Sequence, residues 1–240
     1  MKFITTSMAV ATAFIFLISP SCSKKSSSSP SCKLITVIDQ YGSTTNTINI
    51  SYNNDGKIST IQGTGSSPFK KVFTYSGNLM MITTSNASSV TATDSVVLNS
   101  DGLISYSMRK DASNIKTVYT YTYSGSQLLK STYQYNGGSI QTTTYTFTNG
   151  DLTGSAEGSN TAVYNYYTDK NSADGDFLKL VQLLNYGGLY VKNAHLIKGF
   201  QQGSTVENFN YTYDNTGKIT GLTATTGSNI ENVTFQYNCN

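Results

Sequence analysis

Ten residues near the end of the chain, Tyr211-Thr-Tyr-Asp-Asn-Thr-Gly-Lys-Ile-Thr220, constrain the fold most, because versions of them recur along most of its length. Tyr211 and Tyr213 flank a threonine, so on an extended strand their rings share one face. Asp214 to Gly217 follow with turn chemistry, side chains that bond their own backbone and a glycine that accepts positive φ. Lys218 to Thr220 then lead away, which describes the apex of a β-hairpin.

Related segments stand at Ser51–Ser59, Phe73–Leu79, Val97–Ile104, Tyr121–Leu128 and Tyr145–Leu152. Their anchors Tyr52, Tyr75, Leu98, Tyr123 and Phe147 lie 23, 23, 25 and 24 residues apart, and Tyr213 to Tyr237 is again 24. Tyr166 and Tyr190 keep approximate step between Phe147 and Tyr213. Such a period is the mark of an internal repeat. Each period holds two strands and two turns, so the chain is expected to form an all-β, up-and-down antiparallel meander of about 14–16 strands.

The start of the chain carries an address. Met1-Lys2 precedes an apolar run from Phe3 to Ile18 and then Ser19-Pro-Ser-Cys22. Sixteen residues, several of them Thr or Ser, are short for a membrane span and suit a secretory signal. Residues 1–21 are therefore assigned to a signal peptide, 22–31 to a Ser/Lys tether, and 32–240 to one β domain. The cysteine at the cut gives the segment a look similar to a bacterial lipoprotein signal, in which Cys22 becomes the acylated first residue. Ser19 stands where an aliphatic residue usually does, so ordinary secretory cleavage is the alternative.

With Cys22 assigned to lipid, Cys32 and Cys239 remain, one before the first strand and one after the last. In an oxidising compartment they are expected to pair. A disulfide requires Cα atoms within about 7 Å, whereas sixteen strands laid flat at about 4.8 Å would part the two edges by roughly 70 Å. The pairing therefore predicts a closed or nearly closed, barrel-like curl without exposed edges.

Strand faces alternate strictly. Tyr119, Tyr121 and Tyr123 oppose Val118, Thr120 and Thr122, and Thr143, Tyr145 and Phe147 oppose Thr142, Thr144 and Thr146. One side of the sheet is aromatic and aliphatic, the other Thr, Ser and Asn. The exception lies near 176–186, where Phe177, Leu180, Val181 and Leu184 fall at helical spacing, with Asp174 or Asp176 to cap the start and Gly187-Gly188 to end it. Leu178 and Leu183 widen the apolar stripe, so this one short helix is expected to lie buried against the inner face of the sheet.

Tyr-x-Tyr-Asp-x-x-Gly-Lys-Ile at Tyr211–Ile219 resembles the tyrosine-aspartate repeats of bacterial RHS-type shells, which use many more copies. Residues 33–238 as a whole resemble Bacteroidota cell-envelope lipoproteins with a porin-like β domain, in which hairpins are joined by one apolar helical insertion and a Lys-Asn segment, here Val191-Lys-Asn-Ala-His195. The resemblance implies a fold and an envelope location, and no activity.

Chemistry is sparse. His195 is the only histidine, and a hydrolytic triad would have to use it. No nucleophile-elbow pattern accompanies it, so a structural role beside the helix is expected. Asp169-Lys-Asn-Ser-Ala-Asp-Gly-Asp176 has the composition of a calcium loop, but its glycine falls one place late and Leu180 occupies the place of the bidentate glutamate. No catalytic residue, metal ligand set or cofactor is assigned. One Arg and a net charge of +3 exclude a phosphate-tracking surface, and with it nucleic acid. The 18 Tyr are the remaining binding groups. Tyr121, Tyr123, Tyr133 and Tyr135 are singled out as ligand-stacking candidates, against the plainer reading that Tyr and Thr suit any half-buried sheet.

The sequence therefore predicts a monomeric, non-enzymatic, lipid-anchored protein of the outer membrane, on the periplasmic side, with a glycan or envelope protein as partner. The alternatives are a membrane-inserted β-barrel pore and an enzyme of envelope glycan metabolism. A pore requires an outward apolar band with aromatic girdles.

Overall fold

The structure, a computed structural model, describes residues 32–239. The signal peptide, Cys22 and the tether lie outside them. Sixteen strands run in chain order: β1 (Cys32–Tyr41), β2 (Thr44–Tyr52), β3 (Ile58–Thr64), β4 (Phe69–Ser76), β5 (Leu79–Ser85), β6 (Val90–Leu98), β7 (Ile104–Asp111), β8 (Lys116–Ser124), β9 (Gln127–Tyr135), β10 (Ile140–Thr148), β11 (Asp151–Glu157), β12 (Asn160–Asn171), β13 (His195–Gln202), β14 (Thr205–Tyr213), β15 (Ile219–Thr226) and β16 (Asn229–Cys239). One helix, α1 (Phe177–Tyr186), interrupts them between β12 and β13. Each strand pairs antiparallel with its sequence neighbours, and β1 pairs with β16, so the meander closes into a barrel. At the closing seam Cys32 lies opposite Cys239, their Cα atoms 4.0 Å apart and their sulfurs bonded.

The turns that begin at Asn53, Asn99 and Asp214 share one device. The side-chain oxygen of the first residue accepts backbone N–H groups within the turn, as Asp214 Oδ1 does from Thr216 at 2.9 Å and Lys218 at 3.0 Å. The fourth residue is a left-handed glycine, with φ of 77° at Gly56, 74° at Gly102 and 83° at Gly217. All these turns, the two cysteines and both ends of the β12–β13 insertion belong to one end of the barrel, here the disulfide end. The other end carries the turns between β1 and β2, β3 and β4, and so on to β15 and β16.

A shift of register follows most apices of the disulfide end, at Ser51/Tyr52, Val97/Leu98, Thr122/Tyr123, Thr146/Phe147 and Thr212/Tyr213. Beyond each shift the ladder to the next hairpin stops short; β3 and β4, for example, pair no nearer that end than Thr60 with Val72. Tyrosine hydroxyls close the gaps. Tyr52 donates to Leu34 O at 2.8 Å, Tyr75 to Ile58 O at 2.8 Å, Tyr123 to Ile104 O at 2.6 Å and Tyr166 to Leu152 O at 2.8 Å. A backbone carbonyl left without a ladder partner is costly when buried, and the phenol supplies the missing donor while its ring adds to the core.

The apolar face of the sheet points inward. Ile61, Met80, Ile82, Val96, Ile104 and Leu128 are all at most 1 % exposed. The opposite face is hydroxyl and amide, for example Thr142, Thr144, Thr146 and Thr148 on β10 and Asn232, Thr234, Gln236 and Asn238 on β16, all exposed.

Candidate functional site

A sixteen-stranded barrel is wide enough to hold more than its own wall side chains, and here the insertion occupies the disulfide half of the lumen. Asp176 starts α1: its Oδ1 accepts from Leu178 N at 2.9 Å and Lys179 N at 3.4 Å, and its Oδ2 lies 3.3 Å from both Ser172 Oγ and Ile197 N. The Asp176 carboxyl is 1 % exposed, and burial pushes its pKa up against the opposing hydrogen bonds. At the other end Gly187, φ 64°, gives its N–H to Leu183 O at 2.8 Å. A side chain there would run into the Phe73 ring. Lys71 on β4 reaches across to cap the helix, its Nζ 2.7 Å from Leu184 O and 3.0 Å from Asn185 O. A cation at a helix C-terminus meets the negative end of the macrodipole. Burial nevertheless pulls the pKa of Lys71 down to about 8.

The helix touches opposite walls. Phe177 stacks on Phe209 of β14 with centroids 4.2 Å apart, while Gly187 abuts Phe73 of β4. The returning segment is held as firmly. Gln182, 3 % exposed, accepts from Tyr190 N at 2.8 Å and Val191 N at 2.7 Å. Ile104 N donates to Leu189 O at 2.8 Å. His195 closes the exit: Asp151, 5 % exposed, takes its backbone N–H at 2.8 Å and faces its Nδ1 at 2.7 Å. The only histidine thus clasps the end of the insertion to β11, beside the helix as its sequence position suggested.

The four tyrosines chosen from the sequence fall in different places. Tyr121 is 8 % exposed and stacks on Tyr190 of the insertion at 5.1 Å, and Tyr123 spends its hydroxyl on Ile104 O and Tyr190 O. Both are taken up in holding the insertion. Tyr133 packs at 5.1 Å against Tyr119, half-buried, and Tyr135 stands 50 % exposed at the far rim. The calcium-like stretch is also committed: Asp174 pairs with Lys179, and Asp176 is the helix cap. Among the described residues no group of three or more His, Cys, Asp or Glu side chains is placed to hold a metal ion.

The far half of the lumen differs from the first. Its inward side chains Tyr119, Tyr133, Glu157, Tyr164, Phe200, Glu207 and Glu231 are half-buried rather than sealed. On one side Arg109 faces Asp94 at 3.7 Å. On the other, Glu231 and Asp39 sit diagonally across the β1–β16 seam with their carboxyls near each other. Burial, the Asp39 carboxyl and the charge of Glu207 raise the pKa of Glu231 to about 7. Asp39 Oδ1 is buried without a hydrogen-bond partner, an acceptor that a proton on Glu231 would serve. This recess combines stacking rings with hydrogen-bonding carboxyls. Alternating strand faces show in the sequence; the fact that nine strands bring their acids and rings to one half of one lumen does not.

The sequence matches no family model and no curated protein. The fold does have solved counterparts. A porin-like protein from Bacteroides uniformis superimposes with a TM-score of 0.65 at 15 % identity, over 85 % of this chain and 96 % of the other. A porin-like protein from Bacteroides vulgatus does so with a TM-score of 0.58 at 16 % identity, over 85 % of this chain and 98 % of the other. At this identity the likeness is one of fold: the closed or nearly closed antiparallel barrel expected from the sequence is observed, closed, with sixteen strands.

Proposed function

We propose that this chain is a non-enzymatic, lipid-anchored protein of the bacterial cell envelope. Its barrel stands in water, blocked by its own helix, and holds a glycan or protein partner in the half-open recess at the far end. The observation that carries the reading is the direction of the two sheet faces. A barrel that spans lipid needs a continuous outward apolar band about 25 Å tall, whereas here the outward residues of β10 and β16 are Thr, Asn and Gln along nearly their whole length. The apolar face is spent on the lumen and on α1. Attachment through Cys22 supplies the membrane contact the wall does not.

A membrane-inserted barrel is the second reading, and the porin-like neighbours together with sixteen-strand closure favour it. Planar-bilayer recording separates the two. The first reading expects no steady conductance from the full chain and no transfer of a Cys22→Ser chain into detergent micelles; reproducible unit conductance sinks it. Binding is tested on a glycan array with the same Cys22→Ser chain and a Tyr133→Ala control. Signals that the control loses support the recess as the site. Signals untouched by the control place binding elsewhere, and hydrolysis of an arrayed glycan overturns the non-enzymatic part.

A further inference from the structure

One wall of the far half holds a donor and an acceptor that the fold leaves unused. Asp94 on β6 and Arg109 on β7 face each other across their strands with both side chains inward, and Arg109 Nη1 stands 3.7 Å from Asp94 Oδ2, beyond hydrogen-bond reach. Asp94 is 6 % exposed, yet among the described residues no donor hydrogen-bonds its carboxylate. Burial raises its pKa, and the nearby Arg109 and Lys71 charges offset only part of that rise. Lys71 has already given its ammonium to the carbonyls that end α1. A buried carboxylate is ordinarily hydrogen-bonded; this one is turned to the lumen without a partner. The next two strands supply rings. Tyr119 on β8 and Tyr133 on β9 face each other with centroids 5.1 Å apart, and Tyr135 stands inward at the mouth beside them. Tyr52, Tyr75, Tyr123 and Tyr166 spend their hydroxyls on carbonyls of the disulfide half, whereas among the described residues Tyr119, Tyr133 and Tyr135 make no such bond.

We propose that this wall binds an uncharged oligosaccharide, with a sugar hydroxyl bridging Asp94 and Arg109 and the C–H face of a pyranose stacked on Tyr119 and Tyr133. The inference rests on the recess reading above and narrows its partner to a neutral glycan. A hydroxyl gives and takes a hydrogen bond through one atom. A carboxylate and a guanidinium held just too far apart to bond directly can share such a group, each through a charge-assisted bond. An ammonium on the ligand would answer Asp94 and oppose Arg109. A carboxylate or phosphate would do the reverse, and the inward Glu157, Glu207 and Glu231 of the same half would repel it. Tyrosine offers an apolar ring face with a polar tip, which matches a sugar ring edged with hydroxyls. From β6 to β9 is three strand spacings, about 14 Å, longer than one sugar ring, so a chain of sugars fits better than a monosaccharide. A peptide carries hydroxyls only on scattered side chains, whereas a glycan carries them on every ring.

The test titrates the full chain with Cys22→Ser, by calorimetry, against tetrasaccharides of different charge: cellotetraose, mannotetraose and N-acetylglucosamine tetraose as neutral probes, tetragalacturonate as the acidic one and tetraglucosamine as the basic one. At least one neutral probe should bind, with an affinity that added salt leaves unchanged. Arg109→Gln and Asp94→Asn should each weaken it by about tenfold or more, as the loss of a hydrogen bond to a charged group does. Tyr133→Phe, which keeps the ring, should retain binding that Tyr133→Ala loses. Arg109 has 46 % of its side chain exposed, so its variant decides the matter even if the buried Asp94→Asn chain fails to fold. A neutral probe whose binding Tyr133→Ala abolishes and Arg109→Gln spares overturns the inference and leaves the recess reading standing. Preference for the acidic or the basic probe overturns the neutral class. Binding untouched by every substitution lies outside the recess and sinks both readings. Silence from all the probes overturns the inference and leaves a protein as the partner the recess would need.

Discussion

Tyr52, Tyr75, Tyr123 and Tyr166 show why tyrosine, rather than phenylalanine, marks so many hairpin shoulders: each hydroxyl reaches a carbonyl where the ladder has run out. Leu98 and Phe147 hold equivalent anchor positions without a hydroxyl, so the ring or branch alone satisfies the packing. Tyr75→Phe should therefore keep the fold and cost about 1 kcal/mol, with Ile58 O left bare, read as a lower urea midpoint at unchanged slope. Glu231 supports a prediction with a definite sign. Its native pKa, about 7, lies above that of an ordinary glutamate, so between the two values the native state binds more protons than the unfolded chain. Its contribution to stability is present at acid pH and is lost as pH rises from the usual carboxylate range to about 7. Glu231→Gln should flatten that part of the stability profile, measured as the urea midpoint from pH 4.5 to 8. A slope unchanged by the substitution would remove Glu231 as its source.

At the scale of the element, α1 shows how much of the structure was legible. Apolar spacing from Phe177 to Leu184, an aspartate ahead and two glycines behind locate a helix to within a residue of the one observed, because capping and amphipathicity are local properties. What lies around it was not legible. Lys71 caps its C-terminus from more than a hundred residues away, and Asp176 serves a backbone N–H of β13 besides those of its own first turn. Asp176→Ala should consequently cost more than a surface cap, about 2–3 kcal/mol, since the donor of Ile197 is buried with it. Hydrogen exchange should show the loss at the amides of α1 and at Ile197 together. Loss confined to the first turn of α1 would mean that the cap and β13 are independent.

For the whole molecule the closing seam decides the shape. The nine β1–β16 partners and the disulfide at their end join segments 207 residues apart. In the chain-entropy account a cross-link over so long a loop is worth about 5 kcal/mol. Reduction, or a Cys32→Ser/Cys239→Ser chain, should lower the urea midpoint accordingly while the barrel stays closed. Native-state hydrogen exchange should then quicken first at the cysteine end of the seam. Quickening spread evenly over all sixteen strands would assign closure to the wall as a whole.

Some of this protein was decided within each short stretch of chain. Strand alternation, turn residues, helix caps and a cysteine at each border are local or additive, and together they required an antiparallel ribbon joined to itself with its apolar face inward. Other features depended on which strands closure brings together. The Glu231–Asp39 pair across the seam, the lysine that ends the helix and the half-open recess each draw on residues dozens to hundreds of positions apart, and their register around the barrel exists only once the wall has closed.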